Sequence, residues 1–283
     1  MIERARSIVF FTAWFGPWPA WMKFPLQSCR YNPDIDWVLI GDAPPPADPP
    51  PNVRFLTLSF ADYRAMISRR LGLSCDWKSP YKLCDVKPLF GHLHPDLIEG
   101  YDHWGFADLD VVFGRLRTFF TPAFLDHDII SSHDDITAGH MTIVRNTERM
   151  NTAFRRVVGW RNLITTDEHR SFDERAWSNL FTPVHGSLAQ RLKQRLRSPR
   201  MAVSSLFEEQ FSTDLRPRRW IDGSQTYPSV WYWNEGRLTT DRAPEREMLY
   251  LHFSNWQSAR WTVDAVAPWS RVGRLGGGAA GRP

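Results

Sequence analysis

Two carboxylates, Asp108 and Asp110, stand one residue apart in the apolar run WGFADLDVVFG between Trp104 and Gly114. Charged pairs are rare in such surroundings unless something holds them there. At a strand end their oxygens could surround a hard divalent cation, since Mg²⁺ and Mn²⁺ prefer oxygen ligands and are commonly shared with substrate phosphates. A cation held this way would neutralise a leaving diphosphate as its bond to a sugar breaks. Two other readings use the same letters. Phosphatases of the haloacid-dehalogenase type carry such a pair with the first Asp as nucleophile, but on their first strand and ahead of a Lys and a second acidic pair. Here several strands come first, and only Asp134–Asp135 follows as a usable pair. The plainest reading is a strand running out into a polar turn.

Further segments carry chemistry-bearing residues. In YKLCDVKP, Lys82 and Asp85 lie about one helical turn apart and can share a face, as a surface ion pair or as ligand contacts. In TAGHMTIVRN, Gly139 lets backbone approach a substrate closely, and His140 could touch an acceptor or a diphosphate. Asp173 and Glu174 open a helix at FDE. The helix dipole alone favours acids there, and either could also deprotonate an acceptor hydroxyl. Around Leu188, Leu192 and Leu196 gather Arg191, Lys193, Arg195, Arg197 and Arg200. This is a solvated helix face or, over 188–200, one suited to an anionic bilayer surface.

Positioning such residues requires a scaffold. SIVFFTAWFG is a short apolar run ended by Gly and Pro, the pattern of a buried strand. A helix around Trp18 to Cys29, a strand ending at Asp42, a proline-rich loop from Ala43 to Pro51 and a strand in NVRFLTLSF follow. Then come a helix capped by Ser59 and closed near Gly72, a mostly helical stretch from Tyr81, and the strand HWGFADLD. This alternation predicts a mainly parallel sheet covered by helices, with its chemistry beyond the carboxyl ends of the strands. Ala13 to Gly16, Asp42, and Asp108 to Asp110 end three strands and could converge on one crevice.

In the second half, HDIISSH and HMTIVRN read as short strands. A helix is expected from an Asn146 cap, with Met150, Phe154, Val157 and Val158 on one face. Shorter helices are expected at SFDERAWSNLF and from Ser187 to Pro199, and a strand in EMLYLHFSNW. One domain over 1–268 and a flexible tail over 269–283 are the expected organisation.

The 283 residues carry a formal charge of +4 and a pI near 9.1. That is too mild, and too dispersed, for a nucleic-acid partner. Fourteen tryptophans suit cores, sugar-stacking platforms and wet interfaces alike. Three cysteines, Cys29, Cys75 and Cys84, lack metal spacing and point to a reduced, cytoplasmic setting. No window approaches about 18 consecutive apolar residues, so no membrane span is expected. The basic-then-apolar start is interrupted by FGPWPAW and lacks a cleavage site, so it reads as a buried strand.

PWPAWMKFPLQSCRYNPDIDWVLIGD, PYKLCDVKPLFG, GYDHWGFADLDVVFGRLRTFF, GHMTIVRNTERMN and FDE together resemble a family of bacterial glycosyltransferase-like proteins with a GT-A fold. The resemblance runs over roughly residues 17 to 174 in order, and more loosely at LHF near the end. It implies a GT-A-like α/β fold: a mixed, mainly parallel sheet flanked by helices. It also implies a nucleotide-diphosphosugar donor, Mn²⁺ or Mg²⁺, and a glycan or lipid-linked acceptor in cell-surface polysaccharide assembly. Carried onto this chain, Asp110 and His252 become metal ligands, and Asp108 faces the metal or the ribose. Lys82 and Asp85 lie over the nucleotide, with Ala13, Trp14 and Asp42 at its base and ribose. Gly139 and His140 lie near the diphosphate or acceptor, and Asp173 or Glu174 is the base. Related chains often carry Thr-Asp at the second strand end, where this one has Gly41–Asp42. A dehalogenase-type phosphatase and a non-catalytic glycan-binding protein on the same fold are the alternatives.

Overall fold

The computed structural model describes residues 5–183, 186–213 and 218–253, and the backbone of 261–264 and 271–274. Apolar runs too short for helices become β1 (Ile8–Ala13), β2 (Asp36–Gly41), β3 (Val53–Thr57) and β4 (His103–Ala107), all mutually parallel. With β5 (Val111–Phe113) set apart, the sheet continues through β6 (Ile129–Ser131), β7 (Met141–Arg145) and β8 (Ser205–Phe207). The order is β3-β2-β1-β4-β7-β6-β8, and only β7 runs against its neighbours. This is the mixed, mainly parallel sheet the sequence predicts.

Residues along β1 alternate between two cores, as period-two geometry requires. Val9 and Phe11 pack with Tyr63 and Ile67 of α2 (Phe60–Leu71), while Ile8 and Phe10 pack with Leu26 and Cys29 of α1 (Lys23–Arg30). Both faces are therefore covered, as a parallel sheet demands. The Ser59 side chain accepts from Asp62 N at the start of α2, and Gly72 closes it at φ 63°, the left-handed conformation that glycine adopts at least cost.

Two expected helices differ. Pro80–Leu89 is a ten-residue 3₁₀ helix rather than an α-helix. The helix expected from Asn146 is broken into Glu148–Asn151, a 3₁₀ turn at Ala153–Arg156 and Trp160–Thr165. Its cap is Thr147, whose hydroxyl accepts from Met150 N. Asn146 donates its amide to the carbonyls of Ile98 and Tyr101, and its Oδ1 accepts from Asn151 Nδ2 instead of a helix N–H. Val158 is exposed, not on the buried face.

Beyond β8 lies structure the sequence reading left unassigned, apart from the strand expected in EMLYLHFSNW. β9 (Val230–Asn234) and β10 (Arg237–Thr240) form a hairpin, and β11 (Tyr250–His252) pairs antiparallel with β5. β12 (Trp261–Asp264) and β13 (Arg271–Arg274) complete a four-stranded sheet in the order β10-β9-β13-β12. Of the expected 269–283 tail, only Arg271–Arg274 is described, paired with β9; the rest lies outside the described residues. Trp220, Trp231, Trp233, Leu251 and Phe253 share one cluster with Val112, and Trp233 Nε1 donates to Phe113 O at 2.9 Å. This aromatic block braces β5 and β11.

Candidate metal and ligand site

Strand register brings the site together. Ala107 at the end of β4 pairs with Met141 of β7, so Asp108 N donates to His140 O at 3.1 Å. Val111 pairs with His252 of β11, and Phe253 N donates to Asp110 O at 3.1 Å. Asp110 Oδ1 and His252 Nε2 thereby stand 3.5 Å apart. One candidate ligand atom from each of Asp108, Asp110 and His252 lies within 4.8 Å of the others. Thr213 Oγ1 is 3.2 Å from His252 Nδ1, which fixes the ring with Nε2 toward the carboxylate. Two carboxylates and an imidazole suit Mn²⁺ or Mg²⁺ with positions left for phosphate oxygens and water, and the imidazole favours the softer Mn²⁺.

Beside this cluster opens a cleft of about 480 Å³. Ala13, Trp14 and Phe15 past β1 form one wall, and Ala107 to Asp110 with His252 the floor. The opposite wall is Tyr81, Cys84, Lys87 and Phe90, each three residues from the last. A 3₁₀ helix has three residues per turn, so positions i and i+3 eclipse, and one face of Pro80–Leu89 lines the cleft.

Lys87, on that face, is the residue that sequence reasoning missed. Its ammonium ion-pairs with Asp108 and donates to Gly139 O at 2.8 Å. Burial works against its charge, but Asp108, with Cys84 and Asp173, holds it protonated above the usual lysine range. Burial pushes the neighbouring Cys84 thiol up to about 12. The signal was present in the same PYKLCDVKP motif, but an α-helical period selects Lys82 and Asp85 instead.

Lys82 and Asp85 occupy the adjacent, fully buried face, away from the cleft lining. Lys82 Nζ donates to Asp85 at 2.7 Å and to Leu163 O and Glu168 O. Asp85 also accepts from Arg170 N and Phe172 N, which clamp Ser171 at φ 49°. The pair thus shapes the loop that leads into Asp173, and neither side chain has exposed surface.

Asp173 and Glu174 begin a single π-helical turn, Asp173–Trp177, a geometry enriched at functional sites. A Cβ added to Gly139 would stand 2.8 Å from both Asp173 Oδ2 and Glu174 Oε1, so a larger residue would make these two carboxylates shift where the segment closes on the loop before β7. Asp173 is 3% exposed, and burial, reinforced by Glu174 and Asp108, raises its carboxyl to about 7 despite the opposing pull of Lys87.

The remaining expected contacts divide. Ala13 and Trp14 line the cleft. Asp42 does not: its Oδ1 accepts from Gly16 N at 2.7 Å and holds the turn after β1. Gly41 is required there, because a Cβ would lie 2.2 Å from Trp14 O. His140 is buried behind the cluster, its ring 4.2 Å from that of His252 and its Nε2 2.7 Å from the Tyr250 hydroxyl. Burial, with His252 and His133 adding to it, keeps His140 neutral well below the usual histidine range.

A family model described as "Family of unknown function (DUF6625)" matches residues 10–266. No curated protein matches the chain by sequence. Among solved structures, the galactosyltransferase LgtC, in complex with donor and acceptor sugar analogues, is 13% identical with a TM-score of 0.35. That match covers 73% of this chain and 74% of LgtC. The apo form of the glycosyltransferase GlyE of Streptococcus pneumoniae is 14% identical with a TM-score of 0.35, over 74% of this chain and 46% of GlyE. At such identity and overlap these likenesses speak to neither substrate nor reaction.

Proposed function

The chain belongs to the DUF6625 family, and from its site we propose a metal-dependent glycosyltransferase. It would move a sugar from a nucleotide-diphosphosugar to a glycan or glycolipid acceptor, in cell-surface polysaccharide assembly. The observation that carries this reading is the meeting of Asp108, Asp110 and His252 at the floor of a 480 Å³ cleft beyond the carboxyl ends of β1 and β4.

A divalent cation held by Asp108, Asp110 and His252 would stabilise the negative charge that develops on the leaving diphosphate. Lys87 adds a fixed positive charge at the same end and aligns Asp108. Trp14, Phe15 and Tyr81 offer aromatic faces to the donor base. Asp173 or Glu174 is assigned the acceptor hydroxyl proton. Neither lines the cleft: Asp173 is buried behind its contacts with Gly139, and Glu174 is partly exposed beside it. The acceptor oxygen bonds to the anomeric carbon as the carbon–oxygen bond to diphosphate breaks, its electron pair leaving with the phosphate.

The dehalogenase-type alternative needs a second acidic pair near the first. Asp134 and Asp135 instead both engage Arg218. A screen of nucleotide diphosphosugars by thermal shift, with and without Mn²⁺, tests the proposal. It predicts a metal-dependent stabilisation by one donor class, followed by release of the nucleoside diphosphate on adding acceptor. Sugar binding without donor turnover under any metal condition would favour the glycan-binding alternative.

A further inference from the structure

We propose that α3 (Leu188–Arg197) is the surface by which this protein docks on an anionic phospholipid bilayer. Leu188, Leu192 and Leu196 recur every four residues and form one stripe along it. They are 76%, 61% and 70% exposed, half of the large exposed apolar residues among those described. No residue of the helix is buried.

The helix is nonetheless built to hold this face outward. Ser187 and Gln190 form a reciprocal capping box at its start. Arg195 donates to Asn179 O and Thr182 O, both at 2.6 Å, and just past its end Ser198 Oγ donates to Ala176 O at 2.7 Å. These bonds pin the helix along its Arg195 flank and just past its end through polar groups and leave the leucines uncovered.

Charge selects the occupant. Residues 188–200 contain five basic side chains and no acid, with Arg191 on one flank of the stripe and Lys193 on the other. A second copy would bring two such basic faces together, which repels. A bilayer with anionic headgroups offers phosphates to the arginines and acyl chains to the leucines at once. The helix would lie in the interface plane, since no helix among the described residues is long and apolar enough to cross a membrane. The proposal is independent of the reaction assigned above.

Co-sedimentation of the full chain with phosphatidylcholine vesicles, with and without phosphatidylglycerol, tests it. Binding should require phosphatidylglycerol and weaken with salt. Arg191→Gln combined with Lys193→Gln should lower partitioning on the order of thirtyfold. Leu192→Glu should abolish it, and because these side chains are exposed, the thermal midpoint of each variant should stay at the wild-type value. Equal binding to neutral vesicles or unchanged binding by the variants would overturn the proposal. So would self-association that Leu192→Glu removes without any vesicle binding.

Discussion

Lys87 and Asp108 share an ion pair at the cleft floor, and Asp173 adds a further carboxyl whose field reaches the same lysine. Without the ammonium, Asp108 is left half-buried among acids. Lys87→Met should therefore cost about 2 kcal/mol in metal-free buffer, the usual penalty of a broken buried pair discounted for the partial exposure of Asp108. Mn²⁺ should restore more stability to this variant than to wild type, read as the difference in thermal shift; an equal shift would place the cation elsewhere. Asp173 makes a pH prediction. Its folded carboxyl is raised from 3.8 to about 7, so the unfolded chain ionises first as pH rises. This group's contribution is most favourable below about pH 4 and is lost as pH climbs to about 7. Asp173→Asn should remove that loss, gaining about 1 kcal/mol or more over wild type near neutral pH, as measured by urea unfolding across the range. The aspartate pair was legible as residue types at fixed spacing, whereas His252 came only from the family resemblance. Lys87 was not, because the period of the element carrying it is three.

At the scale of elements, the site is a consequence of two registers, β4 with β7 and β5 with β11. Gly114 follows β5 directly, its N–H donating to Leu249 O at 2.9 Å, and a Cβ there would stand 2.4 Å from Met248 O. Gly114→Ala must push the approach to β11 away, costing about 1–3 kcal/mol and carrying His252 from Asp110. Its Mn²⁺ affinity should fall. Gly72→Ala, strained at φ 63° but far from the cluster, should cost about 1 kcal/mol with affinity intact. Equal metal affinity in the two variants would separate β11 from the site. The first four strands, α1 and α2 were readable because apolar runs and caps are local signals. The shift of the cap from Asn146 to Thr147 was not, since Asn146 is held by groups far away in sequence.

The whole molecule joins a covered, mainly parallel sheet to an aromatic C-terminal block that presses β11 onto β5. That block carries its own local signal, left unused: Trp231 and Trp233 alternate inward along β9, and Glu235 and Gly236 turn the hairpin at φ 47° and 84°. What could not be read locally is that this remote hairpin braces the strand bearing His252. The same long-range logic turned Lys82 and Asp85 from expected ligand contacts into the buried anchor of the loop before Asp173. The central claim is that one cation at Asp108, Asp110 and His252 holds the donor diphosphate. Calorimetric titration of a nucleoside diphosphate into wild type and Asp110→Ala, each with and without Mn²⁺, tests it most directly. The account predicts binding to wild type only when Mn²⁺ is present and none to Asp110→Ala; undiminished Mn²⁺-dependent binding by Asp110→Ala would contradict it.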